Sequence, residues 1–160
     1  MNIEIRKIQS VDNESLGKLI QAVFVELDAP KTGTAYEDKE LFRLSEVYQN
    51  KNSIYYVVVV NGDVKGGCGI APLNTEKDIC ELQKMYFLPE IRGLGIAQKV
   101  IEKCLDFAKI AGYKQCYLET LPLMENAQKL YLKNGFQYID NSLGFTGHGA
   151  CHVFMLKDLE

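Results

Sequence analysis

Residues 54–60, Ile-Tyr-Tyr-Val-Val-Val-Val, constrain the fold more than any other stretch. β-Branched and aromatic side chains suit a pleated strand. An unbroken apolar run leaves no polar face for water, so it predicts a strand covered on both sides. Asn61-Gly62 follows at once, a dipeptide that accepts the positive φ angles of a tight hairpin. The return strand, 64–73, carries Gly66, Gly67 and Gly69. Glycine weakens a strand, so either another group approaches this backbone closely or a bulge lies here.

A sheet covered on both faces requires helices on both sides. Ile3, Ile5 and Ile8 mark a short first strand, and Val11-Asp12 opens a helix with the stripe Leu16, Leu19, Ile20, Val23, Phe24 and Leu27. Pro30 and Gly33 end it, leaving residues 28–36 as a loop. Leu41, Leu44, Val47 and Tyr48 predict a second amphipathic helix, and residues 79–88 a fourth strand. The stripe Ala97, Val100, Ile101, Cys104, Leu105 and Ala108 marks a long helix, closed by Gly112. Strands at 114–120, 136–139 and 151–156 enclose a short helix at 125–133 that stops at Asn134-Gly135. The order β-α-α-β-β-β-α-β-α-β-β is an α/β (α+β) architecture with a mixed sheet. At 160 residues it fits one domain, 1–160.

Composition excludes several classes. The net charge is −3 and the basic residues are dispersed, which argues against a nucleic-acid partner. No apolar run approaches the ~18 residues of a membrane span, and the N-terminus lacks a signal-peptide core. The expectation is a cytoplasmic protein. Cys68, Cys80, Cys104, Cys116 and Cys151 are odd in number with no CxxC, as expected of reduced thiols. His148, Cys151 and His152 lack a second ligand pair, so no metal is expected.

The chemistry-bearing stretch is Arg92-Gly93-Leu94-Gly95-Ile96-Ala97, between a strand and the long helix. A helix N-terminus offers unpaired N–H groups and partial positive charge. Gly93 and Gly95 accept positive φ, so successive N–H groups can converge on a pyrophosphate. A Walker A loop requires GxxxxGK[ST], which is absent. A Rossmann turn requires GxGxxG after the first strand, whereas Gln98 stands in the third glycine's place, mid-chain. A glycine turn without a ligand stays open on these residues alone.

Arg92-x-x-Gly95-x-Ala97 resembles the Q/R-x-x-G-x-G/A signature of the GNAT superfamily of acyl-CoA-dependent N-acyltransferases. The similarity continues through ELQKMYFLPEIRG, the hairpin VNGDVKGGCGI and ENAQKLYLKNGF, in the family's order. The resemblance implies a mostly antiparallel sheet with splayed fourth and fifth strands. It implies acetyl-CoA as cosubstrate, its pyrophosphate on the backbone of Arg92, Gly93, Leu94, Gly95, Ile96 and Ala97. The pantetheine arm would pair with the backbone of Met85, Tyr86 and Phe87, as in strand addition; the Met85 and Phe87 side chains suit plain core packing. The Arg92 guanidinium is either a phosphate contact or a solvated charge. Asn126 either caps its helix or hydrogen-bonds the pantetheine arm, and Lys129 either meets phosphate or is solvated.

Acyl transfer to an amine requires a neutral amine, yet a lysine-like amine with pKa ~10.4 is neutral in only about one molecule in 2,500 at pH 7. The resemblance implies direct attack in a ternary complex, so no nucleophilic cysteine is required. It offers Glu81 as base or water relay; the alternative is a charge that anchors the sheet or orients the acceptor. By strand alternation Glu81 shares a face with Gln83 and Met85. It offers Tyr131 as the hydrogen-bond donor to the departing thiolate; the alternative is a packed ring with its hydroxyl on a backbone carbonyl. Tyr36, Glu119, Thr120 and His148 are the expected acceptor-side residues. The implied partner is an amine, with the protein a monomer or homodimer; a non-catalytic acyl-CoA-binding module is the alternative.

Overall fold

The computed structural model describes residues 1–74, 76–144 and 146–160. Its strands are β1 (Ile3–Lys7), β2 (Ile54–Val60), β3 (Asp63–Pro72), β4 (Ile79–Phe87), β5 (Gln115–Thr120), β6 (Gln137–Ile139) and β7 (Val153–Asp158). Its α-helices are α1 (Asn13–Glu26), α2 (Leu44–Val47), α3 (Ile96–Ile110) and α4 (Glu125–Lys133). The strands lie in one order, β1-β2-β3-β4-β5-β7-β6. Every neighbouring pair is antiparallel except β4 with β5.

Each sheet face has its own core. On one, Val100, Ile101 and Cys104 of α3 and Tyr131 of α4 pack against Val58, Ile70, Leu82 and Leu118. On the other, Leu16, Ile20 and Phe24 of α1 pack against Tyr55, Val57 and Leu121. β2 contributes to both, which is why its sequence carries no polar alternation.

Two boundaries differ from the sequence reading. Residues 10–12 form a 3-10 turn and α1 starts at Asn13. The second amphipathic helix is a single α-turn, α2, preceded by a 3-10 turn at 35–37. Leu41, Leu44 and Tyr48 are nevertheless buried. The apolar spacing therefore reported burial correctly, although the backbone between these residues is mostly turn.

The site is set by β4. Its pairing with β5 runs Ile79↔Gln115, Cys80↔Cys116 and Glu81↔Tyr117, and stops there. Past Glu81 the two strands part, leaving one edge of β4 without a strand partner among the described residues. On the other edge, Gly69 faces Gln83 and Gly67 faces Tyr86, so two β4 residues, Lys84 and Met85, oppose Cys68 alone. This is a β-bulge, and Lys84 adopts φ 51° within it. The bulge reverses the alternation. Cys80 and Leu82 face the α3 core, and so do Met85 and Phe87 beyond it. The expectation that Met85 shares the face of Glu81 and Gln83 is thereby corrected; Tyr86 points to the α1 side instead.

The glycines of β3 explain what holds the bulge. A Cβ on Gly67 would lie 2.4 Å from Tyr55 Cε1, and one on Gly69 would lie 2.7 Å from Tyr55 Cδ2. The Tyr55 ring thus lies flat over both glycines, and its hydroxyl donates to the Lys84 carbonyl at 2.7 Å.

Candidate active site

Two regions lie along β4, one at its free end and one where it leaves β5. The first is a groove of about 560 Å³ between the free end of β4, the 92–97 turn and α4. Met85, Tyr86 and Phe87 line it from β4; Arg92, Gly93, Gly95, Ile96 and Ala97 line it from the turn. Gly93 and Gly95 have φ 75° and 78°, and a Cβ on either would meet nothing within 4 Å. The space above them is open, so these glycines serve backbone conformation and access rather than packing. Among the described residues, the N–H groups of Gly93, Leu94 and Gly95 donate to no backbone carbonyl. The first bond into α3 runs from Lys99 N–H to the Gly95 carbonyl at 3.4 Å. The first-turn N–H groups before it are left for an outside acceptor. This concave set of donors suits an anion, and the unpaired β4 edge suits an extended amide-bearing arm.

The side chains divide as follows. Arg92 is committed within the chain: Nη1 and Nη2 donate to Glu26 at 3.0 and 2.7 Å, and Nε to the Phe87 carbonyl at 3.0 Å. It clamps the end of β4 to the end of α1. Leu94 is exposed and outside the groove lining. Asn126 lines the groove one residue inside α4; Met124 holds the cap position, so the capping alternative does not hold. Lys129 is exposed away from the groove, whereas Lys133, one turn on, lines it. Gln98 and Asn134 exchange two amide hydrogen bonds of 2.8 Å, fixing α4 against α3.

Tyr131 is 6% exposed and meets Phe136 edge-on at 5.9 Å between ring centroids. Among the described residues no hydrogen bond is made by its hydroxyl, and no fully buried side-chain oxygen or nitrogen lacks a partner. The hydroxyl is therefore not fully sealed and is not spent on a backbone carbonyl, but the ring belongs to the α3-side core, and it is Leu130, expected to face that core, that lines the groove. Burial pushes its pKa well above the ordinary tyrosine range, so it remains a proton donor.

The second region lies on the α1 side of the vertex. Glu81 is 7% exposed. Gln83 donates to Glu81 Oε1 at 2.7 Å, and Tyr48 donates to Gln83 Oε1 at 2.6 Å. Burial is the main cause that raises the Glu81 carboxyl to about 7; Gln83 opposes it, and nearby Glu119 adds to it. Glu119 accepts from Tyr117 at 2.6 Å and from Thr146 at 2.5 Å. His148 Nε2 lies 3.0 Å from Asp38, which also pairs with Lys84 at 2.8 Å. Tyr36 packs edge-on against Phe24 at 6.1 Å in the same neighbourhood. Thr120 alternates with Glu119 and so falls on the opposite face of β5, with Cys116 and Leu118. Burial also raises Cys151 to about 12, with Glu119, Glu81 and Asp38 adding to it, so its thiol is protonated at neutral pH.

Asp38, Gln83, Lys84, Tyr48 and Lys133 were not singled out from the sequence. Tyr48 was visible there only as an apolar-stripe residue. Nothing local marks the partnership of Asp38 with His148, 110 residues away.

Comparison with known proteins identifies the family and the fold. The family model described as the acetyltransferase (GNAT) family matches residues 20–136. An uncharacterized N-acetyltransferase of Escherichia coli strain K12, YjgM, is 45% identical over 97% of this chain and 94% of its own. An acetyltransferase of the GNAT family from Staphylococcus aureus Mu50 superposes with TM-score 0.86 at 22% identity, over 99% of this chain and 100% of its own. The structure of yncA from Salmonella typhimurium, with its cofactor acetyl-CoA, superposes with TM-score 0.77 at 16% identity, over 100% of this chain and 95% of its own. The chain belongs to the GNAT family of acetyltransferases and is an acyltransferase.

Proposed function

We propose that the protein transfers an acetyl group from acetyl-CoA to a primary amine by direct attack, with both ligands bound at once. What carries this reading is one strand, β4, with a buried carboxyl near neutrality where it leaves β5 and a free end at Met85, Tyr86 and Phe87 that leads to an anion-accepting glycine turn. The groove fits the cosubstrate: open glycine faces for a pyrophosphate, the free edge of Met85, Tyr86 and Phe87 for the pantetheine amides, and Asn126 and Lys133 at its wall. Acetyl-CoA supplies the activated thioester. The likeness to yncA, solved with acetyl-CoA, supports the same choice.

The chain's own residues then have separable duties. Glu81 receives the amine proton. An ordinary glutamate lies about six pKa units below an amine of ~10.4, whereas at about 7 it lies roughly three below. Burial thus removes half of the mismatch. Backbone N–H groups beside the bulge face the carbonyl that takes on charge. Tyr131 donates its phenolic hydrogen bond to the departing sulfur; its raised pKa keeps that proton on Oη until charge develops. Glu119, Tyr36 and His148 border the acceptor.

A free-thiol release screen with acetyl-CoA over polyamines, amino acids, aminoglycosides and lysine peptides tests the reading. The expected result is amine-dependent release that saturates in both substrates. Tight acetyl-CoA binding without release for any amine would make the chain a non-catalytic acyl-CoA-binding module.

A further inference from the structure

One charged cluster is left unused by that account. Lys84 stands in the bulge at φ 51°, a left-handed conformation that a lysine side chain disfavours. Two contacts hold it: Tyr55 on its carbonyl at 2.7 Å, and Asp38 on its ammonium at 2.8 Å. The Lys84 side chain is only 12% exposed and that of Asp38 24% exposed, so water screens the pair weakly. Asp38 also takes His148 Nε2 at 3.0 Å. One carboxylate therefore joins the loop after α1, the β4 bulge and the connection between β6 and β7. That connection is also tied down by Leu143 N–H to the Tyr117 hydroxyl at 3.1 Å, Thr146 Oγ1 to Glu119 at 2.5 Å and Ala150 N–H to the Gly33 carbonyl at 3.1 Å.

We propose that the Asp38–Lys84 ion pair, seated on the β4 bulge, is a positioning device that sets the charge state of Glu81. Without the bulge, alternation would send Lys84 to the α3 side with Leu82. The bulge and Asp38 hold its cation on the Glu81 face, where it favours the carboxylate; Asp38 moderates it. The other groups facing Glu81 are Glu119 and Tyr117 from β5, His148 and Cys151 from the connection, and Tyr48 beyond Gln83. The buried Cys116 thiol lies across the sheet. Glu119 opposes ionisation of Glu81 while His148 and Lys84 favour it. The functional meaning rests on the reading of Glu81 as proton acceptor.

The test is a pH titration of the Glu81 carboxyl by NMR on protein carrying 13C-labelled glutamate, with the signal assigned by its loss in Glu81→Gln. All proteins carry His148→Gln, so that no imidazole titrates beside the pair. Lys84→Met should raise the Glu81 midpoint and Asp38→Asn should lower it, each by about one pH unit, the size expected for a unit charge at about 10 Å and effective dielectric near 20. The directions are opposite, which a general loosening of the site cannot produce. Unmoved midpoints, or midpoints moving together, overturn the proposal. If Asp38→Asn does not fold, the sign for Lys84→Met alone decides. The base reading fails separately: thiol release whose rise with pH persists in Glu81→Gln removes Glu81 as base, whatever the titration shows.

Discussion

Glutamine at position 81 keeps the size and an amide oxygen for Gln83 but removes the titration, so it isolates what burial does to this carboxyl. In the folded protein the group is raised to about 7 from the ordinary 4.5, mainly by burial. The sign follows from linkage. Below the unfolded value, both states are protonated and the group costs nothing. As pH rises, the unfolded chain ionises first, so stability is lost progressively until the folded carboxyl has also ionised. The full loss is about 3 kcal/mol at ~1.36 kcal/mol per pKa unit. Wild-type stability should therefore fall relative to Glu81→Gln between about pH 4.5 and 7, then run parallel. Urea unfolding of both proteins from pH 4 to 9 measures this. With slopes of about 1–3 kcal/mol/M, the gap between midpoints should widen by roughly 1–3 M. A constant gap would show that Glu81 titrates as an ordinary solvated glutamate, and the argument for it as a base near neutrality would fall with it. Wild type is expected to show a rise in kcat/KM through pH 7, and the same variant should lose it.

Tyr131→Phe removes only the hydroxyl; kcat should fall ten- to a thousandfold, about 1.4–4 kcal/mol, with acetyl-CoA affinity unchanged by calorimetry. An unchanged kcat with chemistry rate-limiting would take Tyr131 out of the reaction. Gly67→Ala places a methyl 2.4 Å from Tyr55 Cε1 and 2.7 Å from the Tyr56 carbonyl oxygen. It should cost about 1–3 kcal/mol, read as a Tm lower by about 2–4 °C per kcal/mol. Arg92→Ala should change acetyl-CoA affinity less than about threefold, under ~0.7 kcal/mol, because its guanidinium is held by Glu26 and the Phe87 carbonyl. A tenfold loss would mean that Arg92 leaves Glu26 for a phosphate.

What the sequence disclosed follows the range of each interaction. The 92–97 turn was legible because its geometry is local: glycines at positive φ, a strand before and a helix after. The close approach expected at Gly66, Gly67 and Gly69 is present, in the form of the Phe87 and Tyr55 rings. The bulge at Lys84 was not legible, since lysine has no special tendency toward positive φ and only tertiary contacts hold it there. Strand alternation consequently misplaced Met85. The clamp of Arg92 on Glu26 and the sharing of Asp38 by Lys84 and His148 join residues far apart in the chain. Such pairs leave no spacing to read. The Tyr48–Gln83–Glu81 relay was hidden for a related reason: a tyrosine on an apolar stripe looks the same whether its hydroxyl idles or orders a buried carboxyl.

The most direct test of the account is calorimetric titration of acetyl-CoA into wild type and Gly95→Glu. The pyrophosphate is expected against the open face of Gly95, where a Cβ meets nothing within 4 Å and φ is 78°. A glutamate there sets an anion in the phosphate site and strains the turn. Wild type should bind acetyl-CoA, and the folded variant should bind at least tenfold more weakly, about 1.4 kcal/mol or more. Equal affinity in the two proteins, with the variant's fold intact by circular dichroism, would contradict the glycine turn as the cosubstrate's anion site.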